Sequence, residues 1–247
     1  MAKDRDSIKI LQGSDVAPDS HQWQVAILRA DIPENFYAQF CGGTHLGSGW
    51  VLTAAHCVVG LASTDIQIYA GSVALDSGGQ RYKITQMVPY PRYDEQSLVG
   101  DIALIRADGL AVSSLAIADS SSGWSALRPD SKILVSGWGV TDTVENRKSN
   151  TLKEVSLPYQ TNKTCNGPES YNKTIKSVMF CAGEMEGGAD ACTYDSGGPA
   201  VAVIGTKPIL VGIVSFGDDC GQPKKFGVYT RVLPYRDWID KLTSAKH

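Results

Sequence analysis

The chain has 247 residues, 43% hydrophobic and 20% charged, with a formal net charge of -3. That length can bury one large core or two of roughly 100 residues each. The slightly acidic balance excludes binding to nucleic acid or an anionic membrane through bulk positive charge, and no apolar run reaches the ~20 residues of a bilayer-spanning helix.

In chain order, Met1 to Lys9 is charged and reads as a flexible leader or propeptide; it lacks the apolar stretch of a secretory signal. Short β-rich runs follow at Gln24–Leu28, Trp50–Thr53 and Ile66–Tyr69. The Ser-, Ala- and Gly-rich stretch from Ala107 to Pro129 reads as a crossover between two units. Further β-rich runs lie at Ile133–Ser136, Ala200–Ile204 and Ile209–Ser215, all separated by Gly, Pro, Asp, Asn and Ser clusters. This pattern predicts an all-β barrel or sandwich rather than alternating βαβ units. One helix is expected, over Pro234–Ala245. Tyr235, Trp238, Ile239 and Leu242 form its i, i+3, i+4, i+7 apolar face, and Pro234 suits its first turn.

Six cysteines permit a complete disulfide set with 15 connectivities, and no CxxC pair suggests a zinc or redox site. Asn-x-Thr sequons at Asn162 and Asn172 are compatible with secretion but arise often by chance.

Three segments carry chemistry. Leu52-Thr-Ala-Ala-His56-Cys57 places a histidine after a strand-like run, beside a cysteine. Gly100-Asp101-Ile-Ala-Leu-Ile105 places an acid at the mouth of an apolar run, where burial demands a partner such as histidine. Asp195-Ser196-Gly197-Gly198-Pro199 is a turn bearing a hydroxyl. Singly each is unremarkable. Together, in the order His, Asp, Ser, they supply a weak nucleophile, a base that titrates near neutrality, and a carboxylate to orient that base.

With Ser136-Gly-Trp-Gly139, Ser215-Phe-Gly217 and Gly227-Val-Tyr-Thr-Arg231, these motifs make the chain resemble the trypsin branch of chymotrypsin-fold serine proteases, from Ile10 to about Leu242. The resemblance implies two antiparallel six-stranded β-barrels with a C-terminal helix. The first barrel spans 10–117 and carries His56 and Asp101. The second spans 118–247 and carries Ser196, the specificity pocket and the helix, with 1–9 a propeptide or leader. It implies a secreted endopeptidase that cuts after Arg or Lys, with His56, Asp101 and Ser196 catalytic and the N–H groups of Tyr194 and Ser196 as the oxyanion hole. Asp190 is expected at the base of the pocket. Ser215 and Gly217 would pair with the substrate main chain, and Gly227 would line the pocket wall. The implied disulfides are Cys41–Cys57, Cys165–Cys181 and Cys192–Cys220. Ile10 looks like a new N-terminus exposed by cleavage after Lys9, its amine pairing with Asp195.

The expected partners are protein or peptide substrates and protein inhibitors, acting on a monomer with no cofactor. The loop from Ala70 to Gln80 has a single acid, Asp76, so no calcium site is expected there. Phe226 occupies a position that resembles a determinant of monovalent-cation binding. Tyr194 is the main departure, because the family usually has glycine there. A tyrosine resists the torsions glycine permits. It therefore either restricts access to an active site, or leaves the oxyanion hole misformed, or marks a silent homologue that binds without cutting. A lectin or adhesin would leave the ordered motifs unexplained.

Overall fold

The computed structural model describes residues 13–122, 126–129, 131–142 and 147–244. The elements run β1 (Ser14–Asp15), β2 (Gln24–Arg29), α1 (Asn35–Ala38), β3 (Gln39–Gly47), β4 (Trp50–Thr53), β5 (Ile66–Ala70), β6 (Gln80–Pro89), β7 (Ala103–Ala107), β8 (Lys132–Gly137), β9 (Val140–Asp142) and β10 (Arg147–Lys148). Then come β11 (Lys153–Gln160), α2 (Asn162–Cys165), β12 (Met179–Ala182), β13 (Pro199–Ile204), β14 (Lys207–Phe216), β15 (Gly227–Arg231) and α3 (Arg236–Thr243).

Strands β2-β3-β4-β7-β6-β5 close into a six-stranded barrel. A second ring runs β8-β11-β12-β15-β14-β13 and returns to β8, because β11 pairs with both β8 and β12. Every one of these pairings is antiparallel, and β1 adds to the outside of β11. The chain therefore has the expected double-barrel, mostly-β fold with few helices. Closure removes the free edges that would otherwise template aggregation.

The apolar runs explain the strands. In β2 five consecutive residues are buried, and β4 is buried throughout. The core of the first barrel continues into the second through Val201, Leu210, Ile213 and Val232. The C-terminal helix completes that shared core with Ile239. Tyr235, just ahead of the helix, and Trp238 within it both meet Tyr90 edge-to-face. The expected helix begins two residues late: Pro234 sits in a 3₁₀ turn, Leu233–Tyr235, and α3 follows it. Proline fits either turn, since it cannot donate to one.

The loop at 70–80 is closed by its own tyrosine. The Tyr69 hydroxyl is shared between the carbonyls of Ala74 and Ser77 and accepts the Gly79 N–H. No described helix is long and apolar enough to cross a membrane.

Candidate active site

A cleft of about 520 Å³ between the barrels is lined by His56, Asp190, Tyr194, Ser196, Ser215, Gly217 and Gly227, among others. Each reaches it from a defined point in the fold. His56 stands on the 3₁₀ turn that follows β4. Asp101 lies two residues before β7, Ser196 three residues before β13, and Gly227 opens β15.

Asp101 is fully buried. Its Oδ2 accepts from His56 Nδ1 at 2.8 Å and from the Ser215 hydroxyl at 2.5 Å, while Oδ1 accepts the His56 backbone N–H at 2.9 Å. Three donors thus hold one carboxylate, and the carboxylate holds the ring in the tautomer whose free Nε2 can act as a base. Thr230 Oγ1 donates to the Asp101 carbonyl, tying this first-barrel acid to the second barrel. The Gly42 N–H does the same for the Ser196 carbonyl, at 2.8 Å. His56 and Ser196 line one cleft without a hydrogen bond between Nε2 and Oγ, and such bonds often tighten only with substrate bound.

The turn around Ser196 is tightly constrained. Gly197 has φ 81°, and a Cβ there would come within 2.2 Å of Thr53 Oγ1. Tyr194 has φ 76°, a left-handed conformation that its side chain disfavours. The tyrosine has therefore been accommodated in a glycine-like torsion. Among the described residues, neither the Tyr194 nor the Ser196 N–H has a hydrogen-bond acceptor. These two free donors at the cleft suit a developing oxyanion.

Asp190 is 3% exposed; Oδ2 accepts the Gly221 N–H at 3.0 Å, while Oδ1 is buried with no partner among the described residues. Burial pushes its carboxyl up to about 7. A Cβ on Gly227 would come within 3.0 Å of that free Oδ1, whereas one on Gly217 would meet only open space. Glycine at 227 thus leaves the carboxylate unobstructed on that side.

Asp195 is also buried, and burial raises its carboxyl to about 6 against the N–H groups of Cys192 and Gly139. It faces no cation among the described residues. Lys9 and Ile10 lie outside the described residues. The three disulfides are Cys41–Cys57, Cys165–Cys181 and Cys192–Cys220. The first adjoins His56 and the third flanks the pocket of Asp190. Phe226 is buried beside Cys165 and Cys181, and its carbonyl accepts the Tyr171 hydroxyl at 2.6 Å. The side chain of Ser215 went unassigned in the sequence; its bond to Asp101 spans 114 positions and has no local signature.

Two closed β-barrels, with a serine, an acid-braced histidine and a buried carboxylate in the cleft between them, define the serine protease class. The family comparison agrees: residues 10–239 match the trypsin model. The chain belongs to the trypsin family. It is 35% identical over 93% of its length to "Trypsin Blo t 3" of Blomia tropicalis, covering 84% of that protein. It is 34% identical to "Trypsin-3" of Salmo salar, covering 98% of this chain and 96% of that one. A third relative is the "Clotting factor G beta subunit" of Tachypleus tridentatus, at 33% identity over 95% of this chain and 80% of the relative.

Proposed function

We propose that this trypsin-family protein is an endopeptidase that hydrolyses peptide bonds after Arg or Lys. One observation carries the specificity: the buried, half-satisfied carboxylate of Asp190 at the floor of the cleft. An unpaired buried oxygen is costly, and a guanidinium or ammonium group satisfies it with a charge-assisted bond. Ser196 Oγ attacks the scissile carbonyl while His56 Nε2 takes its proton. Asp101 stabilises the imidazolium so formed, and the N–H groups of Tyr194 and Ser196 receive the oxyanion. His56 then protonates the leaving amine, and water repeats the sequence on the acyl-enzyme. The backbone at Ser215 and Gly217 pairs with the substrate main chain.

The test is hydrolysis of a chromogenic Arg amide by the chain cleaved after Lys9, with Ser196→Ala as control. Turnover that survives Ser196→Ala belongs to another site. A cleaved wild type that is inactive yet still binds Arg peptides would instead make the protein a silent homologue.

The activation reading rests on Asp195. A buried carboxylate facing no described cation suits a free α-amino group, which cleavage after Lys9 would create at Ile10. Activity is expected to appear only with the new N-terminus, as judged by N-terminal sequencing of intact and cleaved material. Equal activity with Met1 to Lys9 in place removes this reading. Secretion fits the three disulfides, which persist in oxidising compartments, and the reading extends to a monomer open to protein inhibitors.

A pH prediction follows from Asp190. A cation binds only the ionised carboxylate, and that carboxyl titrates at about 7 when the pocket is empty. The affinity for benzamidine is therefore expected to fall as pH drops below about 7, approaching tenfold per unit, and to plateau above it. Calorimetry near pH 6 should also record proton release on binding. An affinity that stays flat from about pH 5.5 to 8 contradicts the assignment.

A further inference from the structure

Tyr194 lies in the left-handed region, where a bulky residue stays only if its surroundings hold it. Two contacts hold it, and a third ties their donors together. Gln39 Nε2 donates to the Tyr194 carbonyl at 2.9 Å. Lys148 Nζ lies 4.9 Å from the Tyr194 ring centroid and 5.0 Å from that of Phe36. The same ammonium donates to the Gln39 carbonyl at 2.8 Å and approaches Gln39 Oε1 at 3.4 Å. Gln39 itself is 1% exposed. One amide side chain is thus fixed from both ends, its oxygen by Lys148 and its nitrogen on Tyr194.

Lys148 has no carboxylate partner among the described residues, and burial lowers its ammonium to about 8. A half-buried cation with no described counter-charge is unfavourable unless other groups receive it. Here the receivers are two ring faces and the oxygens of Gln39.

We propose that Lys148, acting through Gln39 and the Tyr194 ring, is a positioning residue. It clamps the Tyr194 peptide in the left-handed conformation and so keeps its N–H available to the oxyanion. This deepens the peptidase reading above and rests on it. It also explains how the chain carries tyrosine where relatives of this family usually carry glycine: the clamp supplies from outside what glycine supplies by lacking a side chain. Lys148 touches neither the nucleophile nor the pocket, so its effect should fall on turnover rather than on binding of the basic side chain.

The test is a double-mutant cycle between Lys148→Met and Tyr194→Gly, with Lys148→Arg as the conservative variant. Methionine keeps the bulk between the rings and loses the charge. With an Arg amide, Lys148→Met is expected to lower kcat about tenfold, a fraction of the 10²–10³ lost with a whole oxyanion donor, and to leave KM within about twofold. Lys148→Arg should restore most of the loss, because guanidinium also stacks on aromatic faces. In the Tyr194→Gly background Lys148→Met should have no effect, since glycine adopts the torsion unaided. A merely structural lysine would instead give the same loss in both backgrounds. Equal losses, or an unchanged kcat in Lys148→Met, overturns the proposal. A crystal structure of Lys148→Met gives a readout independent of turnover: Tyr194 is expected to populate a second conformation outside the left-handed region, and a single conformer with φ near 76° overturns the clamp. Should the wild type cleaved after Lys9 prove inactive, the peptidase reading fails and the torsion alone judges the clamp.

Discussion

Asp101→Asn is expected to lower kcat for an Arg amide by about 10⁴-fold while leaving the fold intact, the size known for the equivalent change in this class of enzyme. The hydrogen bonds dictate the mechanism. Oδ1 accepts the His56 backbone N–H, so in the variant the amide oxygen must take that place. The NH₂ group then occupies the position of Oδ2 and donates to His56 Nδ1, where the carboxylate had accepted. The ring is driven to the tautomer protonated at Nε2, which cannot take a proton from Ser196. The Ser215 hydroxyl, which donates to Oδ2 at 2.5 Å, must rotate to accept instead. The Thr230 bond to the Asp101 carbonyl is untouched, which is why stability should survive. Steady-state kinetics of the activated variant, alongside thermal unfolding, provide the check. A loss smaller than about tenfold would mean that Asp101 does not set the tautomer.

The two halves of this site differed in how far the sequence disclosed them. His56, Asp101 and Ser196 sit in short, distinctive segments, and their order alone suggested a nucleophile, a base and an orienting acid. The strands buried on both faces, β2 and β4 among them, were visible as apolar runs. Strand β3 was not, because Gly42, Gly43 and Gly47 argue locally against a strand. Barrel closure explains Gly43: a Cβ there would stand 2.7 Å from Val51 Cγ1. Strand β6 was hidden for the opposite reason, being largely polar and only partly buried. Tyr194 was recognisable as a departure, yet its consequence was not readable. That depends on Gln39 and Lys148, 155 and 46 positions away, each of which reads alone as an ordinary polar residue. Local propensity records what a residue prefers; only the tertiary fold shows what compels it otherwise.

Asp190→Ser separates specificity from folding. In the substrate complex it leaves a buried guanidinium or ammonium without its counter-charge. Removing one partner of a buried pair costs about 3–5 kcal/mol, so kcat/KM for Arg and Lys amides is expected to fall by roughly 10²–10⁴. Without substrate the sign reverses. The Asp190 carboxyl is raised to about 7 by burial, so the folded chain holds its proton more tightly than the unfolded chain does. Ionisation therefore costs stability, increasingly from about pH 4 upward and fully above about pH 7. Serine removes that cost. At pH 8 the variant is expected to unfold at the same temperature as the wild type or higher, while its activity on basic substrates collapses. An amide with an apolar side chain, such as Phe, should be cleaved no worse than before. Parallel loss on Phe and Arg amides would place the defect in the catalytic groups. Arg-amide turnover within tenfold of wild type would show that the cation is bound elsewhere.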